Sequence, residues 1–334
     1  MRKTRIGRTM RLAALAAVLV LLVAACGGAK STSGGGVGGG SGGGSGSGGG
    51  KTVRLAVNSW VGSQADVAVA CWLIQNKLSS KCDQVTIDEV PTWPAMGQNR
   101  LEGVLEVWGH EDLYAQYVTK AKKVVDGGKL GATGHIGWYV PTYVMQQHPE
   151  LATWQGLKTN WKLFQTAESG GQGQLLDGSP SYVTEDAALA KNLGLNLKVI
   201  YAGSEAAQIT AIRKAYAAKK PLLFYWYTPQ WLNSQLQFSE VKLPSRTEGC
   251  DATAGKKPDK TNCAYPTYPL YKAFSAEFAS GNSKAYQLLK SFQLTNKQQD
   301  DVAALIADKG MKPDAAAAQW AQQNQSVWQP WISS

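Results

Sequence analysis

Thr52-Val53-Arg54-Leu55-Ala56-Val57-Asn58-Ser59-Trp60 begins the part of the chain that can fold, and its reading decides the architecture. Residues 52–57 alternate in the manner of a strand. Residues 65–78 carry apolar side chains at helical spacing, and Gln84-Val85-Thr86-Ile87-Asp88-Glu89-Val90 reads as a second strand. Strand, helix and strand make a β-α-β unit, which implies a parallel sheet whose ligand edge lies at the strand carboxyl ends. Trp60 sits just past the first strand, on that edge. After a short helix over 94–101, residues 103–107 form a third strand, and Leu105-Glu106-Val107-Trp108-Gly109-His110 delivers a second tryptophan to the same edge.

Toward the N-terminus the chain cannot fold in this way. Residues 1–25 hold five bases (Arg2, Lys3, Arg5, Arg8, Arg11) and an apolar run over 12–25, the layout of a secretory signal peptide. Val23-Ala24-Ala25-Cys26 resembles a bacterial lipobox, in which cleavage leaves Cys26 as a lipid-bearing N-terminus. Residues 26–50 then comprise this cysteine and a Gly/Ser tether that cannot bury a core. The expected location is the extracytoplasmic face of a cell membrane, held by the lipid on Cys26.

Toward the C-terminus, residues 112–125 read as a helix and 135–140 as a strand, and the pattern then restarts. Strands are expected at 161–165, 198–201 and 221–226, a Gly-rich loop at 168–178, and helices at 182–193 and 204–219, the last with Ser204 as N-cap. This is a second α/β lobe. The tail reads as helices over 269–280, 282–292, 296–309 and 314–324, which should cover an existing lobe. The expected organisation is α/β and two-lobed. It comprises a first lobe over 51–141, a second over 142–235 and a return to the first over 236–334. The two inter-lobe crossings fall near 139–143 and 231–243.

The formal charge of +10 overstates the secreted part, since removing the five leader bases from 34 leaves 29 against 24 acids, or +5. These charges are scattered and no nucleic-acid motif accompanies them, so no nucleic-acid partner is expected. Cys26 aside, four cysteines remain, and in an oxidising compartment their short separations favour Cys71–Cys82 and Cys250–Cys263 disulfides. There is no Cys-x-x-Cys and there are only three His, so neither a metal nor a cofactor is expected. A secreted hydrolase using His110 or His148 would need a nucleophile motif, and Gly-x-Ser-x-Gly is absent. An aromatic platform for cell-wall sugar stays open as another binding class.

Aromatic clusters recur at chain junctions: Asn58-Ser59-Trp60, Gly137-Trp138-Tyr139-Val140-Pro141 and Tyr225-Trp226-Tyr227-Thr228-Pro229-Gln230-Trp231. Together with residues 100–108 and the closing Trp320 and Trp328, their order resembles the substrate-binding proteins of ABC importers for glycine betaine, proline betaine, choline and related quaternary amines. The resemblance covers most of 51–334. It implies a type II periplasmic-binding-protein-like fold, a monomer without enzymatic activity that closes on its ligand, and a membrane permease as partner. It also implies an aromatic cage from Trp60, Trp108, Tyr139 and Trp226, with Trp138 and Trp231 as alternates one register away. His110 is a candidate donor to a ligand carboxylate, and Glu168 a candidate group facing the cation or a hydroxyl. Gly62 and Ser63 are candidates to offer backbone N–H groups at a helix N-terminus. A quaternary ammonium has no N–H, so hydrogen bonds cannot select it, whereas its methyl-borne charge fits the negative face of a ring, each contact contributing about 0.5–2 kcal/mol.

Overall fold

The computed structural model describes residues 51–182, 184–247, 250 and 260–332. The leader, Cys26 and the Gly/Ser tether lie outside them. In chain order the elements are β1 (Val53–Val57), α1 (Val61–Lys77), β2 (Cys82–Thr86), α2 (Glu89–Gly97), β3 (Gly103–Val107) and α3 (Glu111–Tyr114). The last of these runs into a π-helical segment at Ala115–Lys120. Next come β4 (Val124–Pro141), α4 (Thr142–Gln147), α5 (Trp154–Asn160), β5 (Gly173–Asp177), α6 (Asp186–Asn192), β6 (Leu197–Tyr201), α7 (Glu205–Ala217), β7 (Phe224–Thr228) and β8 (Phe238–Val241). The chain returns through β9 (Thr267–Ser275) to α8 (Ala276–Ser280), α9 (Lys284–Ser291), α10 (Asn296–Ala307), α11 (Pro313–Gln323) and α12 (Gln325–Ile332).

Among the described residues the strands form one mixed sheet in the order β2-β1-β3-β9-β4-β7-β5-β6, with β8 paired to β4. The two outer groups are parallel, β2-β1-β3 in the first lobe and β7-β5-β6 in the second. Antiparallel β9 and β4 join them. β1-α1-β2 is the β-α-β unit that the sequence pattern predicts. α1 is apolar on almost every side and buried from Val61 to Ile74, as a helix must be when it is covered all round. It lies between the sheet and the C-terminal helices α10 and α11. Both disulfides form with the expected partners, Cys71–Cys82 tying α1 to β2 and Cys250–Cys263 joining residues 13 positions apart.

Four local expectations differ from the structure. Residues 161–165 are a 3-10 turn (Trp161–Phe164) rather than a strand, and the Gly-rich stretch over 168–178 contains strand β5. The helix expected over 112–125 stops at Lys120, because Val124 starts the 18-residue β4. Residues 269–275, read as helix, are most of β9. Its alternation Tyr268, Leu270, Lys272 buries one face against β4, and that pairing outweighs a helical pattern read locally.

β4 pairs with β9 from Val124 to His135 and with β7 from His135 to Tyr139, so this one strand joins the two groups of strands. On return Tyr265 still donates to Asp186 of the second lobe, and Thr267 pairs with His135. The crossings are thus two neighbouring strands of one sheet.

Candidate functional site

The carboxyl ends of β1, β2 and β3 in one lobe face β7 and the loop after β5 in the other, where the topology places a ligand edge. A small cavity, with about 40 Å³ of space for the centre of a water-sized sphere, lies between them. Trp60, between β1 and α1, and Trp108, directly after β3, supply its first-lobe wall. Trp108 lies against the backbone of β4 at Gly134, where a Cβ would strike the ring. Its indole Nε1 donates to Glu106 Oε1 at 2.7 Å. The other oxygen of Glu106 accepts from Gln299 Nε2 at 3.0 Å, and the same nitrogen donates to Asp66 Oδ2 at 2.9 Å.

Two buried carboxylates thus stand beneath the tryptophan wall. Burial, reinforced by Glu89 and Glu205, pushes the Glu106 carboxyl up to about 7 against the indole N–H groups of Trp60 and Trp108, which favour its charge. Burial and then the Glu106 charge raise Asp66 well above the usual carboxylate range.

Tyrosines make the opposite wall. Centroid distances trace a continuous belt: Trp60 to Tyr182 at 6.1 Å, Tyr182 to Tyr225 and Tyr225 to Tyr227 at 6.2 Å, then Tyr227 to Trp108 and Trp108 to Tyr268 at 5.7 Å. The three contacts made by Trp60 and Trp108 are edge-to-face and the two between tyrosines are tilted, and such contacts hold the rings in place. The Tyr227 hydroxyl donates to Glu205, buried at the start of α7, and the Tyr182 hydroxyl donates to Ser59 O at 3.3 Å. Burial, with Glu205 next in weight, holds both phenols well above their ordinary range, so they remain uncharged.

A polar corner completes the lining. Gly109 and His110 both have positive φ, 70° and 64°, and this turn carries the His110 ring to the cavity at a backbone cost of about 1–2 kcal/mol for the non-glycine residue. His110 Nε2 lies 3.3 Å from Glu89 Oε1. Thr184 donates to Asp177 Oδ2 at 2.9 Å, and Ile136 of β4 fills the floor. No Lys or Arg lines the cavity among the described residues.

Of the ten positions expected from the sequence, Trp60, Trp108 and His110 line this cavity. Trp226 and Tyr139 project from the opposite face of the sheet. Trp226 is buried against Phe224 and Phe238, with its Nε1 on Asn233 Oδ1, and Tyr139 packs beside Phe224. Trp138 is on the cavity side of β4 but deeper, its Nε1 donating to Asp186 Oδ1 at 2.7 Å. Trp231 is buried under the Arg213 guanidinium, 5.4 Å from its ring centre. Ser63 Oγ accepts from Asn58 N at 2.9 Å, and Gly62 lies beside Glu106 rather than at the cavity surface. Glu168 is exposed, and its carbonyl accepts from Lys198.

The lining residues absent from the sequence reading are Tyr182, Tyr225, Tyr227, Tyr268, Glu89, Thr184 and Ile136. A signal existed for two of them. In a strand, Tyr225 and Tyr227 share a face that Trp226 cannot join, and Trp138 opposite Tyr225 and Ile136 opposite Tyr227 lie on it too. Tyr268 and Glu89 come from segments whose ends the pattern misplaces.

Comparison with known proteins accords with this geometry. A family described as the substrate binding domain of ABC-type glycine betaine transport system (OpuAC) matches residues 51–323. A trimethylamine N-oxide-binding protein of Pelagibacter ubique is 25% identical over 293 residues, 84% of this chain and 90% of that protein. Among solved structures, an ABC-transporter choline binding protein in complex with choline aligns with a TM-score of 0.66 at 16% identity, covering 84% of this chain and 91% of that one. Lactococcal OpuAC, closed and complexed with glycine betaine, aligns at 0.62 and 18% identity over 84% and 99%. At these identities the structural likeness speaks for the two-lobed type II fold alone.

Proposed function

The chain belongs to the family of substrate-binding domains of ABC-type glycine betaine transport systems, and we propose that it captures a small quaternary amine in its inter-lobe cavity for delivery to a permease. Proteins of this family bind and hand over a solute outside the cytoplasm and are not enzymes, so the hydrolase reading falls away. The observation that carries the proposal is the belt of six aromatic rings around a lining that includes Glu89 and lacks Lys and Arg. Ring faces and carboxylates stabilise a cation, and a dry cavity strengthens both terms. A recessed cavity between lobes also argues against the sugar platform, which needs an exposed face.

In this reading Trp60 and Trp108 form one side of the cage and Tyr182, Tyr225, Tyr227 and Tyr268 the other, with the lobes closing over the ligand. Ser59 Oγ and Ser181 Oγ, 3.0 Å apart, and Arg213 with Asp308, 3.0 Å apart, join the lobes in the closed form. A lipid at Cys26 and the Gly/Ser tether would keep the domain near its permease, and it would act as a monomer.

Isothermal titration of the purified protein with choline, glycine betaine, proline betaine and carnitine tests the proposal. Saturable binding of at least one, lost on Trp108→Ala, is expected. Heat signals at the level of buffer dilution for all four would overturn it.

A further inference from the structure

A cation cage does not by itself distinguish choline, a cationic alcohol of net charge +1, from glycine betaine, which adds a carboxylate and is neutral overall. The surroundings of this cage do. A bound carboxylate must be met by N–H or O–H donors or by a basic side chain; here the Tyr227, Tyr182 and Thr184 hydroxyls are already engaged by the protein, and Trp60 Nε1 and His110 Nε2, which make no hydrogen bond, stand beside Glu106 and Glu89. The Tyr227 hydroxyl proton goes to Glu205, that of Tyr182 to Ser59 O, and that of Thr184 to Asp177. Each oxygen is thereby left as an acceptor.

The N-terminus of the 17-residue α1, behind Trp60, is occupied by the protein's own acids. Val61 N donates to Glu205 Oε2 at 2.8 Å, across the lobes. Glu106 Oε2 sits so close to Gly62 that a Cβ there would come within 3.1 Å of it. His110 Nε2 makes no hydrogen bond and stands 3.3 Å from Glu89 Oε1.

We propose that the cavity selects a methylated ammonium of net positive charge that carries a hydroxyl and no carboxylate, and that Glu205 and Glu89 set this preference. The inference rests on the cage reading above and narrows it. Glu205 fills the place where a betaine carboxylate would find a helix N-terminus, and it does so from the opposite lobe, so closing the lobes inserts it. Glu89 brings a further negative charge to the lining itself. A ligand hydroxyl finds acceptors in the tyrosine oxygens, whereas a ligand carboxylate meets the combined field of Glu89, Glu106 and Glu205.

The test is isothermal titration of the purified protein with choline chloride and with glycine betaine, in the wild type and in Glu205→Gln and Glu89→Gln. Wild type should bind choline at least about tenfold more tightly than glycine betaine. Each variant should shrink that ratio by about threefold or more, chiefly through weaker choline binding. Glycine betaine binding as tightly as choline would overturn the inference and leave the cage standing, whereas no binding of either would remove the cage itself. Should Glu205→Gln fail to fold, Glu89→Gln decides alone, because Glu89 is partly exposed and carries no buried network. An unchanged ratio in Glu89→Gln would overturn the assignment.

Discussion

Tyr225 and Tyr227 face the cavity from β7, while Trp226 between them is buried on the far side of the sheet beneath Phe224 and Phe238. The same three-residue run therefore contributes to a cavity wall on one face and to a core on the other. Trp is the better ring for a cation, yet in this strand the tyrosines face the cavity and the tryptophan is given to packing. Strand parity, set by pairing with β4, outranks the chemical suitability of the ring. The contrast extends into the first lobe, where Trp60 and Trp108 reach the cavity because both sit past strand ends and escape the alternation.

Substitutions on the two faces should separate stability from binding. The largest effect is expected on the core face, where Trp226→Ala should lower unfolding free energy by about 3–5 kcal/mol, read as a fall in midpoint on urea titration. The molecules that remain folded should bind ligand as before, and a large loss of affinity at unchanged stability would break the comparison. On the cavity face Trp108→Ala should do the reverse. Losing a desolvated cation–π contact of about 2 kcal/mol weakens binding about thirty-fold, with a thermal midpoint close to wild type.

A smaller effect should follow from the surface behind that ring. Gly134→Ala puts a methyl where the Trp108 ring lies, and overpacking of about 1–3 kcal/mol should tilt the ring and cost about tenfold in affinity. Titration calorimetry would show it, and unchanged affinity would mean that the ring position does not matter.

The smallest expected effect is of pH. The Glu106 carboxyl, raised to about 7, is protonated below that value and charged above it. A bound cation favours the charged form, so the complex holds fewer protons than the free protein. Affinity for a cation should then rise by about threefold between pH 6 and 8 and level off. The groups around Glu106 are Asp66, Glu89 and Glu205, with Lys272 beyond Asp66, and His110 faces the cavity beside Glu89. The rise should therefore persist in His110→Gln and vanish in Glu106→Gln, measured as affinity across pH in both variants.

The first lobe was largely legible because its evidence is local. β1-α1-β2 alternates, then spirals, then alternates within about forty residues, and Trp60 and Trp108 follow directly from where two strands end. Both disulfides were legible for a similar reason, since each closes a loop of 11 or 13 residues. β9 was not legible, because Lys272 is buried in it with its Nζ on the carbonyl of Lys290, a partner in another element.

The sequence by itself determined the fold class and the strand ends that carry Trp60 and Trp108 to the cavity, because periodicity and strand ends are properties of neighbouring residues. Only the tertiary structure decided which aromatic residues of β4 and β7 see the cavity, because strand pairing fixes the parity of every side chain on both. It alone decided that Glu205 reaches the N-terminus of α1, because residues 61 and 205 lie 144 positions apart in the chain and only folding brings them together.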